Sequence, residues 1–159
     1  MSATSVDPEL LMFRDGLLTM VDRVVACLDG LDEAAANWRP DAPDKNSLVV
    51  IAAHVLGNVE EYVFEVILGQ AVHRSRDAEF ATTGPAEPLI AKWTELRPRM
   101  DAAILGMDPA ELARERFHPR RDMITGRRAL YQATHHSAEH AGEAELTRDL
   151  RAPAASAPN

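Results

Sequence analysis

The sequence predicts an all-α protein folded as a four-helix bundle, and three observations lead there. Apolar residues recur at helical spacing in four stretches of about 20 to 25 residues each. Caps, glycines and most of the prolines fall between those stretches and mark their ends. Apolar residues make up 46% of the chain but aromatic residues only 5%, a mixture that suits helices better than a sandwich or barrel. The length of 159 residues fits one domain with one sizeable core, assigned to residues 1–150. The final segment, RAPAASAPN over 151–159, is low in complexity and reads as a disordered tail.

The first helix runs over residues 8–29. Asp7 caps it, Pro8 takes the first helical position, and Leu10, Leu17, Val21, Val24 and Leu28 recur on one side before Gly30. Residues 31–46 carry Pro40, Pro43 and a short DEAAANW piece, a loop with one helical turn. Trp38 in that piece is expected to pack across one end of the bundle. Asn46-Ser47 caps the second helix, 48–69, which ends at Gly69. Its core stripe is Leu48, Ala52, Val55, Val59, Tyr62 and Val66. A second stripe, about 100° round, holds His54, Asn58, Glu61 and Glu65.

Residues 70–85 are polar and form a long connection. The third helix covers 86–107, with Leu89, Trp93, Leu96, Met100 and Ile104 inward and Pro98 predicting a kink. Residues 108–124 place Arg114, Arg116, Arg120 and Arg121 around His118-Pro119. A solvated connection is the expected reading, and a lid that attracts an anionic substrate is the functional one. Thr125 caps the fourth helix, 126–150. Both connections flanking the third helix are long enough to cross the bundle, so neighbours need not follow sequence order.

Net charge and cysteine usage exclude several classes. A formal charge of −8 disfavours nonspecific nucleic-acid binding, which depends on a surplus of Lys and Arg. Cys27 is the only cysteine, so no intramolecular disulfide and no cysteine-rich zinc site can form. Its apolar neighbours point to a buried structural thiol. The N-terminal stretch lacks the pattern of a secretory signal. His54 and Asn58 interrupt the most apolar segment, 48–59, which is too short and mixed to span a membrane. A soluble, cytoplasmic protein is expected.

Residues 131–149, YQATHHSAEHAGEAELTRD, concentrate the chemistry. His136 and His140 are four apart, so both imidazoles leave one helical face about a turn from each other. Two ring nitrogens so placed can reach one metal ion, with Glu139 and Glu143 alongside. The bland alternative is a histidine pair covering a core edge. A third nitrogen must come from elsewhere, and His54 on the shoulder of the second helix is the candidate. A lone histidine there is ordinarily a satisfied core-edge residue; as a ligand it could be backed by Asn58 or Glu61.

Two segments together, NSLVVIAAHVLGNVEEYVFEVILG and HHSAEHAGEAELTRDL, resemble the DinB/YfiT-like superfamily, and the resemblance spans about residues 8–150. It implies a four-helix bundle in which His54, His136 and His140 bind a divalent metal. Ala141-Gly142-Glu143 fits the motif that follows the pair, and Asn37–Pro40 and Asn46-Ser47 fit the lead into the second helix. His135 points about 100° away and is left out of the ligand set. Three imidazoles leave coordination positions open, and zinc or nickel is expected, with iron or manganese compatible. The resemblance further implies a metal-dependent enzyme. A thiol S-transferase using a low-molecular-weight thiol such as mycothiol or bacillithiol is its most direct form, and metal-assisted hydrolysis is a variant. Glu61 and Glu143 are then catalytic candidates that orient an imidazole or move a proton, and the basic loop could hold a substrate carboxylate. The competing expectation is a non-catalytic metal-binding bundle acting through self-association or a protein partner. The partners expected are a small-molecule substrate and a second copy of the chain, with no nucleic acid and no membrane.

Overall fold

Asp7 starts the first helix, α1 (Pro8–Ala26), by accepting the N–H groups of Glu9 and Leu10 at 2.8 and 3.3 Å. The computed structural model describes residues 6–151. Of the tail expected over 151–159, Arg151 is helical, while 152–159 and the first five residues lie outside that range. A one-turn helix, α2 (Glu33–Asn37), follows with Asp32 as its cap, as the DEAAANW piece suggested. Ser47 caps α3 (Leu48–Glu60), which continues without a break as a π-helical segment, Glu61–Ile67. The connection beyond it contains a short helix, α4 (Arg76–Phe80), capped by Ser75. Then come α5 (Glu87–Leu105), a 3₁₀ turn (Pro109–Leu112), two strands, β1 (Glu115–His118) and β2 (Asp122–Thr125), and the long α6 (Gly126–Arg151).

Four long helices therefore form the all-α bundle, and cross-helix pairs fix their directions. Glu9 meets Arg127 and Arg23 meets Glu145, so α1 and α6 run parallel. Arg14 meets Asp101 and Asp22 meets Arg97, so α1 and α5 run antiparallel. Glu60 meets Lys92 and the Phe64 ring lies under the Arg99 guanidinium at 5.2 Å, so α3 and α5 run parallel. The principal neighbours of α1 are α6 and α5, while α3 packs on α6.

Parallel neighbours cannot be joined by a tight turn, because the chain must return along the full helix before starting the next one. Residues 68–86 make that return beside α3. Arg74 passes Glu61, Glu79 passes His54, and the Gly84 backbone is held by the Asn37 carboxamide at the far end. The returning chain covers what would have been the solvent face of α3. Nearly every residue of α3 is buried as a result, including His54, Asn58 and Gly57. The expected two-stripe pattern is thus absent from this helix.

The 108–124 connection differs from the solvated loop expected of it. It contains an antiparallel hairpin in which Glu115 pairs with Thr125 and His118 with Asp122. A turn closes it, with the Arg121 N–H donating to the His118 carbonyl at 3.1 Å and Asp122 at φ 61°, a conformation that aspartate tolerates. His118 is fully buried and packs on the Tyr62 ring, which anchors the hairpin to the bundle. Four-residue strands with Phe117 and Met123 turned to solvent carry too little apolar alternation to be recognised from sequence. In α5 the helix continues through Pro98, an exposed position where water can satisfy the carbonyl left without its donor.

The core joins α1, α3, α5 and α6 through residues such as Leu17, Val21, Ile51, Leu56, Met100, Ile104 and Leu130, each almost wholly removed from water. No helix among the described residues is long and apolar enough to cross a membrane. Cys27 is 5% exposed, and burial raises its pKa, as suits a structural thiol.

Two glycines of α6 should respond in opposite ways to the same change. A Cβ on Gly126 would lie 2.2 Å from the Glu111 carbonyl oxygen, so Gly126→Ala should cost about 2 kcal/mol by overpacking. Gly142 has nothing within 4 Å, so Gly142→Ala should gain about 0.5–1 kcal/mol through helix propensity. Urea unfolding of both variants checks the pair; equal effects would contradict the packing at Gly126.

Candidate metal centre

α3 and α6 bring three imidazoles to one point. His54 is 4% exposed, and its Nε2 lies 2.9 Å from Nε2 of His136. His140 completes the group, with ring centroids 5.1 Å from His54 and 4.4 Å from His136. One ring nitrogen from each residue falls within 4.8 Å of the others, a grouping that could hold a metal ion. Imidazole–metal bonds are about 2.0–2.1 Å long, a length compatible with three nitrogens grouped this closely.

The donor set fits such an ion in its protonation state as well. Burial, the neighbouring His140 and His54, and the Arg74 and Arg76 guanidinium groups push the His136 pKa down to about 3. The imidazole is therefore neutral at pH 7, which is the ligating form. Nδ1 of His54 and Nδ1 of His140 each face a carboxylate, Glu79 at 2.9 Å and Glu143 at 2.7 Å. Carboxylates so placed hold a proton on Nδ1 and leave Nε2 as the lone-pair nitrogen, the arrangement typical behind metal-bound histidines.

Glu79 is the partner that sequence reasoning missed. It reaches His54 from the returning connection, 25 residues along the chain. Ser75 starting a helical turn was its only local signal. Burial raises the Glu79 pKa, but its bonds to His54 and Arg74 outweigh that and leave it below the usual carboxylate range. Arg74 grips Glu79 at 2.7 and 3.0 Å and also donates to Glu61 at 2.6 Å, with its side chain 4% exposed. Gly57 makes room for this contact, because a Cβ there would stand 2.0 Å from a Glu79 oxygen. Phe80 stacks on the His54 ring at 4.8 Å, so α4 serves the site with both residues.

Glu61 lies in this network but outside the triad. Arg74 and Arg120 both donate to its carboxylate, and His118 Nε2 stands 3.7 Å away. Burial raises its pKa, yet the two arginines hold the group below its ordinary value. Glu143 is lowered chiefly by its bond to His140, which burial only partly opposes. Glu139 is exposed beside His135 and His136, and His135 stacks on Tyr131 and is not one of the three grouped imidazoles.

A cavity of about 320 Å³ opens beside the triad. His54 and His136 form part of its wall, with Asn58 and Tyr62 from α3 and its π segment, and Arg76, Arg120 and Arg121 around it. The hairpin that replaces the expected loop supplies two of those arginines.

A bundle with parallel middle helices, a three-histidine group on α3 and α6 and a cavity alongside defines a class of helical protein with a candidate metal site. The family follows from sequence: residues 17–144 match the DinB superfamily model, and the chain belongs to that superfamily. Among solved structures, a crystal structure described as the conserved protein of a locus from Enterococcus faecalis superposes with a TM-score of 0.65. It shares 17% identity, over 88% of this chain and 95% of that one, and so shares the fold. Comparison with curated proteins gives no match.

Two measurements address this centre. Glu79→Ala should lower zinc affinity about 10- to 100-fold by releasing His54, and Gly57→Ala should act in the same direction by displacing Glu79. Competition with a chromophoric chelator reads both; unchanged affinity in both variants would contradict the role of Glu79. The second measurement is the acid stability of metal-free protein. His118 and His136 have folded pKa values below the unfolded 6.5, so their contribution is complete above about pH 6.5. It is lost as pH falls below that value, while Glu61 and Glu79 add their loss below 4.5. Thermal melts should therefore show Tm falling between pH 6.5 and 4.5; a flat Tm across that window would contradict the burial of neutral imidazoles.

Proposed function

We propose that the chain is a divalent-metal-dependent enzyme that uses a low-molecular-weight thiol, such as mycothiol or bacillithiol, in an S-transfer to a small-molecule substrate. The observation that carries this reading is the cavity: two of the three imidazoles form part of its wall, so the group is not sealed inside protein. A purely structural metal site is ordinarily closed by four protein ligands. Membership of the DinB superfamily supports the metal, and zinc or nickel suits three imidazoles best.

His54, His136 and His140 would hold the ion. When bound, it supplies a Lewis acid that lowers the pKa of a thiol and makes the thiolate available at neutral pH. Glu79 and Glu143 orient His54 and His140 through their Nδ1 atoms. Glu61 is a positioning residue, ionised and clamped, that fixes Arg74 behind Glu79 and Arg120 beside the cavity.

His136→Ala tests the assignment. Bound zinc or nickel and thiol-transfer turnover should both disappear, with helix content and metal-free Tm unchanged, because Leu, Val and Ala burial drives folding. Metal loss accompanied by a large drop in the Tm of zinc-saturated protein, with no turnover by the parent chain on any thiol, would assign the ion a structural role instead.

A further inference from the structure

We infer that the cavity beside the triad contains a carboxylate subsite, formed by Asn58 and Arg121, about one helical turn from His54. This rests on the proposed use of the cavity as a substrate site. Asn58 follows His54 by four residues, a rise of about 6 Å along α3, and lies in the cavity wall. The residue is 6% exposed, and its Oδ1 is buried with no hydrogen-bond partner. A carboxylate cannot satisfy an acceptor there, but with the amide turned over the same position carries the NH₂, which a carboxylate oxygen accepts from. A buried polar group left unpaired costs about 1–3 kcal/mol, so a ligand that meets it recovers that energy.

Arg121 supplies the charge. Its Nε donates to the Tyr62 hydroxyl at 2.8 Å, and Tyr62 is itself buried, so the guanidinium is fixed with its terminal N–H groups still to be used. No carboxylate pairs with Arg121 or with Arg76 among the described residues; Arg76 instead lies over the Phe80 ring. Arg120 differs, since both of its terminal nitrogens go to Glu61. In a chain of net charge −8, the cavity is nonetheless lined by three arginines against one glutamate, Glu139. A planar guanidinium fork and an amide NH₂ suit a carboxylate, whose two oxygens accept from both. The substrate or thiol is thus one whose acid group lies a few bonds from the atom that meets the triad.

Calorimetric titration of zinc-loaded protein with 3-mercaptopropionate and with its methyl ester tests this. The acid should bind at least tenfold more tightly than the ester. Arg121→Gln and Asn58→Ala should each remove that preference while leaving zinc stoichiometry, helix content and ester affinity in place. Equal affinity for acid and ester in the parent protein overturns the subsite and leaves the metal–thiol reading intact. Should neither thiol bind zinc-loaded protein, the proposed function fails. Succinate titrated into metal-free protein then decides the subsite alone: weak binding abolished by Arg121→Gln supports it, and no binding overturns it. Inorganic phosphate competing better than succinate also overturns the carboxylate assignment.

Discussion

The parallel packing of α3 and α5 is the constraint on which the rest of the molecule depends. Two adjacent helices that point the same way oblige the chain to travel back along one of them. In this protein the return runs beside α3 and seals its outer face. It delivers Arg74, Glu79 and Phe80 to the histidine on that helix. A bundle of sequential antiparallel neighbours would have left His54 at a solvent-facing edge with no carboxylate behind it.

The charged groups carried in by that return would be costly if left single. Arg74, Glu61 and Glu79 are all withdrawn from water, and each would pay several kcal/mol of desolvation without its partners. Shared hydrogen bonds offset that cost: Arg74 spans both glutamates, and Arg120 adds a second cation on Glu61. The net effect is two carboxylates that stay ionised while buried. Such a network contributes specificity of arrangement more than stability. It locks the return and the hairpin to the same π segment of α3, and π turns frequently occur beside functional sites.

Membership of the DinB superfamily together with a fold likeness at 17% identity shows how little sequence the bundle requires. Apolar spacing on the long helices and the two crossovers are enough to set its shape. The connections of this chain carry a five-residue helix on one side of the triad and a two-stranded hairpin on the other.

The sequence by itself determined the helices and the histidines. Periodic Leu, Val and Ala residues, with Asp7, Ser47 and Thr125 as caps, located all four long helices to within a few residues of their ends. The four-residue spacing of His136 and His140 placed both rings on one face because helix geometry is local. Only the tertiary structure decided what meets them. Glu79 and Arg74 sit in a polar stretch with no periodicity, and their positions depend on which way α5 points, a property of packing between helices. His118 reads as a loop residue and is fully buried, because the hairpin that carries it is held by Tyr62 and not by its own short strands. Asn58 and Arg121 are 63 residues apart in the chain and reach the same cavity only once the hairpin crosses the bundle. Local periodicity encodes which face a side chain occupies; the contacts made across that face depend on the path of the whole chain.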